Sequence, residues 1–136
     1  MLADYFARPK VYARFDTVHN IFKTWQTMHE VLKDEYFLNA GAGSDDAVES
    51  TRMDALLANA HGIFGVAAHR TVQEYVKFYA IGSGTDLALG SMYASYDDPK
   101  LSAAQIALRA VEAAAEFDDS TALPAIVQTV KLKKKR

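Results

Sequence analysis

The sequence predicts an α+β fold, and three observations carry that expectation. Apolar residues recur at steps of three and four from Val18 to Tyr36, a tight turn at Asn59-Ala60-His61-Gly62 separates two short apolar runs, and the strand-like segments gather ahead of a pair of helices without regular βαβ alternation. At 136 residues the chain matches one domain, 1–136, with enough material to bury a substantial core.

The first helix is predicted over 18–36. Val18, Ile21, Phe22, Trp25, Met28, Leu32 and Tyr36 form one stripe, with Asp16 or Thr17 placed to cap its first turn and Lys23 and Lys33 outside the stripe. The run NAGAGSDDAVES, Asn39 to Ser50, has turn formers and no period, which predicts a flexible loop over 37–51. Met53 to Ala68 reads as a hairpin, because Asn and Gly tolerate the backbone a tight connection needs. TVQEYVKFYAI, rich in β-branched and aromatic residues, reads as a strand whose end, Phe78 to Ile81, is continuous enough to be buried before Gly82.

Beyond Gly84, the residues Leu87, Leu89, Met92 and Tyr93 predict a helix to about Tyr96, stopped by Asp97-Asp98-Pro99. Ser102 and Gln105 form a capping box opening an alanine-rich helix to Phe117, whose expected packing face is Ile106, Ala110, Ala113, Ala114 and Phe117. After Pro124, Ile126, Gln128, Val130 and Leu132 alternate with Ala125, Val127, Thr129 and Lys131 as in a strand. The basic tail 131–136 follows; it carries five of the fifteen Lys and Arg residues and reads as a solvated terminus that resists edge pairing, or else as a nonspecific, salt-sensitive contact for an anionic partner.

Composition narrows the function classes. Half the residues are hydrophobic and the net charge is −2, with an acidic body once the tail is set aside, so a broad nucleic-acid face is not expected. No apolar run is long enough to span a bilayer and the start lacks a signal-peptide core, which predicts a cytoplasmic protein with no membrane partner. Without cysteine there is no disulfide, thiolate nucleophile or cysteine-based zinc site. His19, His29, His61 and His69 match no metal spacing, and Asp45, Asp46 and Glu49 lack the pattern of a calcium loop, so neither a cofactor nor a metal is expected.

Two local features bear on chemistry. Gly82-Ser83-Gly84 joins a strand to a helix, a place where backbone can approach a ligand and helix N–H groups are free, though it matches neither a Walker A loop nor a dinucleotide fingerprint. By itself it reads as a tight turn, or as a small anion site. Asp118, Asp119, Ser120 and Thr121 gather carboxylates and hydroxyls after the alanine-rich helix, a set that can orient an amine or a water and equally reads as helix-end turn chemistry.

Taken together, FYAIGSGTDLALGSMYA and SAAQIALRAVEAAAEFDDSTALPAIVQTV resemble the second half of the proteasome-type, HslV-like N-terminal nucleophile hydrolases, over roughly Met53 to Leu132. The resemblance implies a partial αββα sandwich of antiparallel strands with flanking helices, corresponding to the C-terminal part of that fold. It implies peptide hydrolysis by an amino-terminal threonine whose own amine is the base. It places Ser83, Asp118 and Thr121 around that amine in supporting roles, with Asp119 and Ser120 as the alternative register; Ala122 stands where a glycine often follows the hydroxyl residue. Since the sequence opens Met1-Leu2-Ala3, the expectation is a piece of a threonine peptidase that is inactive alone, or else a noncatalytic assembly subunit of the same fold. Either one implies a homo-oligomer, or a partner chain supplying the first half of the fold, with peptide as the substrate class.

Overall fold

A computed structural model describes residues 5–7, 13–36, 54–67 and 71–133. The loop expected over 37–51, His69 and residues 134–136 of the basic tail lie outside them. The described elements are α1 (Val18–Tyr36), β1 (Ala55–Asn59), β2 (Gly62–Val66), β3 (Val72–Tyr75), α2 (Thr85–Ser95) and α3 (Ala103–Phe117), an α+β protein. They divide between two compact units, one holding residues up to Tyr75 together with Leu132 onward, the other Val76–Lys131. Among the described residues no helix is long and apolar enough to cross a membrane.

In the first unit α1 turns Ile21, Trp25, Met28 and Leu32 inward, where they meet Tyr5 and, from the sheet, Phe64 and Val66. Each fully buried side chain of this size contributes about 1.5–3 kcal/mol. The observed stripe is narrower than the expected one, for Val18 and Phe22 are 37% and 39% exposed. Thr24 and His29 are buried in their place. Thr24 is accommodated because its hydroxyl donates to the Arg14 carbonyl at 3.2 Å and accepts from the Arg14 N–H at 3.1 Å, tying the segment before the helix to it. Thr17 is the cap, its hydroxyl accepting from the Asn20 N–H at 3.2 Å. Asp16 accepts instead from the Asn20 side chain at 2.8 Å and the Arg14 guanidinium at 2.7 Å.

Those two bonds, that from Asn20 foremost, hold the Asp16 pKa at about 2. A carboxylate depressed in the folded state stabilises the fold above its unfolded pKa of roughly 4, and that contribution is lost as pH falls from there through the folded value. Asn20→Ala is therefore expected to raise the Asp16 pKa and to move acid unfolding to higher pH. An unchanged Asp16 titration by carboxyl NMR would contradict this.

The sheet is an antiparallel meander in the order β1-β2-β3, with Ala55 opposite Val66, Asn59 opposite Gly62, and Ile63 opposite Tyr75. The hairpin is where the sequence put it. Asn59, however, serves through its side chain: its amide donates to the Phe15 carbonyl at 2.7 Å while its Oδ1 accepts the His61 N–H at 2.7 Å. One residue thus closes the turn and fastens it to the segment before α1.

One expected strand is shortened, and another is not a strand among the described residues. β3 ends at Tyr75; Val76 is 93% exposed, and Phe78 and Ala80 pack on the cluster formed by α2 and α3 rather than entering a ladder. After a cis Leu123–Pro124 bond, residues 124–132 also form no ladder among the described residues, and Ile126 is 90% exposed and Leu132 64%. Alternation prepares a chain for a sheet, but a strand also requires a ladder with a neighbouring strand, and among the described residues neither segment joins one.

In the second unit α2 buries Ala88 and Met92 against Ile106, Ala110 and Ala114 of α3. The capping box on α3 is complete: the Gln105 N–H donates to the Ser102 hydroxyl at 3.3 Å and the Ser102 N–H to the Gln105 Oε1 at 2.9 Å. Small alanines let the helices approach closely. Phe117, expected on the packing face, is the last residue of α3 and is 76% exposed. Tyr93 is likewise 82% exposed.

Candidate functional site

The turn before α2 uses its two glycines for different physical reasons. Gly82 has φ +119°, a conformation that side chains disfavour, although a Cβ there would meet nothing. Its carbonyl accepts the Thr85 hydroxyl at 2.6 Å and the Thr85 N–H at 3.3 Å, which closes the turn. Gly84 has an ordinary φ of −82°, but a Cβ on it would lie 2.7 Å from the Ala114 Cβ, so its need is for space.

Ser83, between them, does not cap the helix it precedes: α2 has no side-chain cap. Its hydroxyl donates instead to Asp118 Oδ2 at 2.7 Å, thirty-five residues on. The Thr121 hydroxyl donates to the same oxygen at 2.5 Å. The structure therefore brings Ser83, Asp118 and Thr121 together. Of the two registers open in the sequence, the hydrogen bonds join Asp118 with Thr121, while Asp119 and Ser120 are exposed.

Asp118 also ends α3, its N–H donating to the Ala114 carbonyl at 2.8 Å, and its own carbonyl accepts the Thr121 N–H at 3.0 Å. The hydroxyl of Thr121 foremost, then that of Ser83, holds the Asp118 carboxyl below its usual range. This is an unusual position for an anion. A helix C-terminus carries partial negative charge and favours cations, yet the last turn of α3 has no basic residue, and Glu116 and Asp119 stand beside Asp118 in the sequence. Turn chemistry alone explains the Thr121 bond; it does not explain why Ser83 is recruited from the far element.

The proton inventory fixes what such a cluster can take. An ionised carboxylate supplies no proton, so both hydroxyls must donate to it, leaving the lone pairs of Ser83 and Thr121 as acceptors. A group bound there would bring donors, and the carboxylate at a helix C-terminus favours a cationic donor such as an ammonium. The same charge, with Asp86 in the first turn of α2, opposes an anion at this helix start.

Elsewhere, His19 and His61 are exposed and His29 is buried within α1. Among the described residues no group of three His, Cys, Asp or Glu side chains could hold a metal ion. An open groove of about 400 Å³ beside the hairpin is lined by Arg14, Phe15, Asp16, Asn59, Ala60 and His61, and sequence reasoning did not find it. Asn59 is spent on the bonds that fasten the hairpin, and the Arg14 and Asp16 side chains bond each other, Asp16 also bonding Asn20. The close approach of Gly84 to Ala114 was missed too; the glycine and the alanine-rich helix each signalled tight packing, but not with each other.

Fold and site define an α+β protein in which a strand-to-helix turn lends a serine to a carboxylate already held by a threonine. No protein-family model matches the sequence, and no curated protein matches it. Among solved structures, the chain is similar to Thiobacillus denitrificans BPH, at 50% identity and a TM-score of 0.87, over 98% of this chain and 69% of that one. It is similar also to Thiobacillus denitrificans BPH in complex with epoxomicin, at 53% identity and a TM-score of 0.81, over 93% of this chain and 64% of that one. The chain thus spans about two-thirds of the length of these relatives. It belongs to the family of Thiobacillus denitrificans BPH.

Proposed function

We propose that this chain is the C-terminal portion of a proteasome-like, HslV-like threonine peptidase of the N-terminal nucleophile class, in which Ser83, Asp118 and Thr121 hold the amine that serves as base. The observation that carries the proposal is the Ser83–Asp118 hydrogen bond, a contact between distant parts of the chain in place of a local cap. The relative bound to epoxomicin supports it, since epoxomicin is a proteasome inhibitor.

The chemistry follows from charge. An amine beside an ionised Asp118 has its protonated form stabilised, which makes it a stronger base toward a neighbouring hydroxyl. The hydroxyl gives its proton to the amine and attacks a peptide carbonyl. The resulting ammonium, held by the acceptor lone pairs of Ser83 and Thr121 and by the carboxylate behind them, returns that proton to the leaving amine as the C–N bond breaks, and water then releases the acyl group. By this reading the nucleophile and its amine come from the part of the fold that corresponds to the relative's unmatched third. Strands from that part would complete the αββα sandwich by pairing with segments 76–81 and 124–132, whose exposed Val76, Ile126 and Leu132 call for cover. A noncatalytic assembly role is the reading that a folded but inactive whole would favour.

The test joins the unmatched third of Thiobacillus denitrificans BPH to this chain. The expected result is hydrolysis of fluorogenic peptides, blocked by epoxomicin, with none by the 136 residues alone. A folded joined protein without turnover would overturn the proposal, as would turnover by the 136 residues alone that a Ser83 substitution abolishes.

A further inference from the structure

We infer that Gly84 and Ala114 are a matched steric pair that positions the cluster: the missing side chain at one and the single methyl at the other set the separation across which Ser83 reaches Asp118. The inference rests on reading the cluster as an amine-holding site, but its geometry stands by itself. A Cβ on Gly84 would come 2.7 Å from the Ala114 Cβ, 3.0 Å from Thr121 Oγ1 and 3.5 Å from Asp118 Oδ2, so one methyl would touch three of the residues at stake. The nearest of these atoms cannot swing aside, because a Cβ is fixed to its backbone and Ala114 lies inside α3.

Carbon atoms settle at about 3.5–4.0 Å, so the turn and the helix would have to part by roughly 0.8 Å or more. A Ser83–Asp118 bond that now measures 2.7 Å would then stretch to about 3.5 Å, beyond useful hydrogen bonding. Gly84 is thus a positioning residue acting through Ser83. Backbone conformation is not the reason for it, since its φ of −82° suits any residue. Gly90, inside α2, provides the comparison: a Cβ there meets nothing within 4 Å.

The experiment is a carboxyl NMR titration of Asp118 in the full chain, with Ser83→Ala setting the value for complete loss of the Ser83 bond. Gly84→Ala is expected to raise the Asp118 pKa to at least the Ser83→Ala value, and Gly90→Ala to leave it unchanged. Removing the opposing methyl in Gly84→Ala/Ala114→Gly is expected to bring it back down toward the parent. A merely destabilising effect would not be rescued, because glycine within a helix itself destabilises by about 1 kcal/mol. If Gly84→Ala does not fold, the double variant carries the test, and it must fold with Asp118 still depressed. An Asp118 pKa unmoved by Gly84→Ala, or a double variant that is unfolded or no lower than Gly84→Ala, overturns the inference. Because the titration needs no turnover, a failed peptidase assay would sink the proposed reaction and leave this pair untouched.

Discussion

Phe64→Ala is expected to destabilise the first unit by about 3–5 kcal/mol, read as a fall in the urea midpoint at constant slope. Phe64 is 1% exposed at the centre of the three-stranded sheet, in the same cluster as Trp25, Met28 and Leu32 of α1. Truncation removes the transfer energy of the ring and leaves a cavity between a helix and a sheet, neither of which can collapse without disturbing the other's packing. With small-domain stability of only about 5–15 kcal/mol, a loss of this size is a large share of the whole. Val76→Ala supplies the comparison: at 93% exposure it is expected to shift stability by no more than about 0.5 kcal/mol. Equal effects at the two positions would mean that the cluster around Phe64 is not the core of this unit.

What could be read in the sequence was what a segment determines by itself. The helical stripe containing Ile21, Trp25, Met28 and Leu32, the capping box of Ser102 with Gln105, and the turn at Asn59 to Gly62 each depend on residues a few positions apart, and each is present. Strand assignments failed beyond Tyr75 and after Pro124, where no neighbouring strand pairs with the chain among the described residues. Phe78 to Ile81 is apolar because Phe78 and Ala80 face helices, and residues 124–132 alternate without a ladder. Burial of His29 and exposure of Phe117 were illegible for a related reason, as the face a helix presents is decided by what lies opposite.

The site was legible to a different degree. Ser83 and Asp118 are separated by two helices, so no local pattern could join them, and the resemblance to a family named them together before any distance was known. Sequence alone could not choose between Asp118 with Thr121 and Asp119 with Ser120, because both offer an acid near a hydroxyl. The helix end decides it. Asp118 stands where α3 stops, so its side chain is carried to the turn that Gly84 allows to come close, while Asp119 is one step further along and exposed.

Asp118→Asn in the joined protein is expected to lower kcat/KM by about 10²–10³-fold, within the range that a positioned acid–base group contributes. The substitution keeps the shape and removes the charge. An amide oxygen can still accept a hydrogen bond from Ser83 or Thr121, but the amide nitrogen donates, so a hydroxyl facing it must turn its lone pair inward and its proton toward the amine it was meant to accept from. Two losses therefore combine: the field that favours ammonium and the acceptor directed at it. Ser83→Ala and Thr121→Ala, which each remove one acceptor and leave the carboxylate, are expected to cost less, about 10-fold, and Thr121→Ser is expected to restore activity. The pH profile separates this role from a titrating one. Since its hydroxyl donors hold Asp118 below the usual carboxylate range, the carboxyl stays ionised near neutral pH, and on the proposed mechanism the acid limb of the rate profile belongs to the amine. Loss of the Asp118 charge should move that limb to lower pH, because an ammonium without its counter-charge gives up its proton more readily. Unchanged activity in Asp118→Asn, or a limb that moves upward, would show that the carboxylate does not serve an amine.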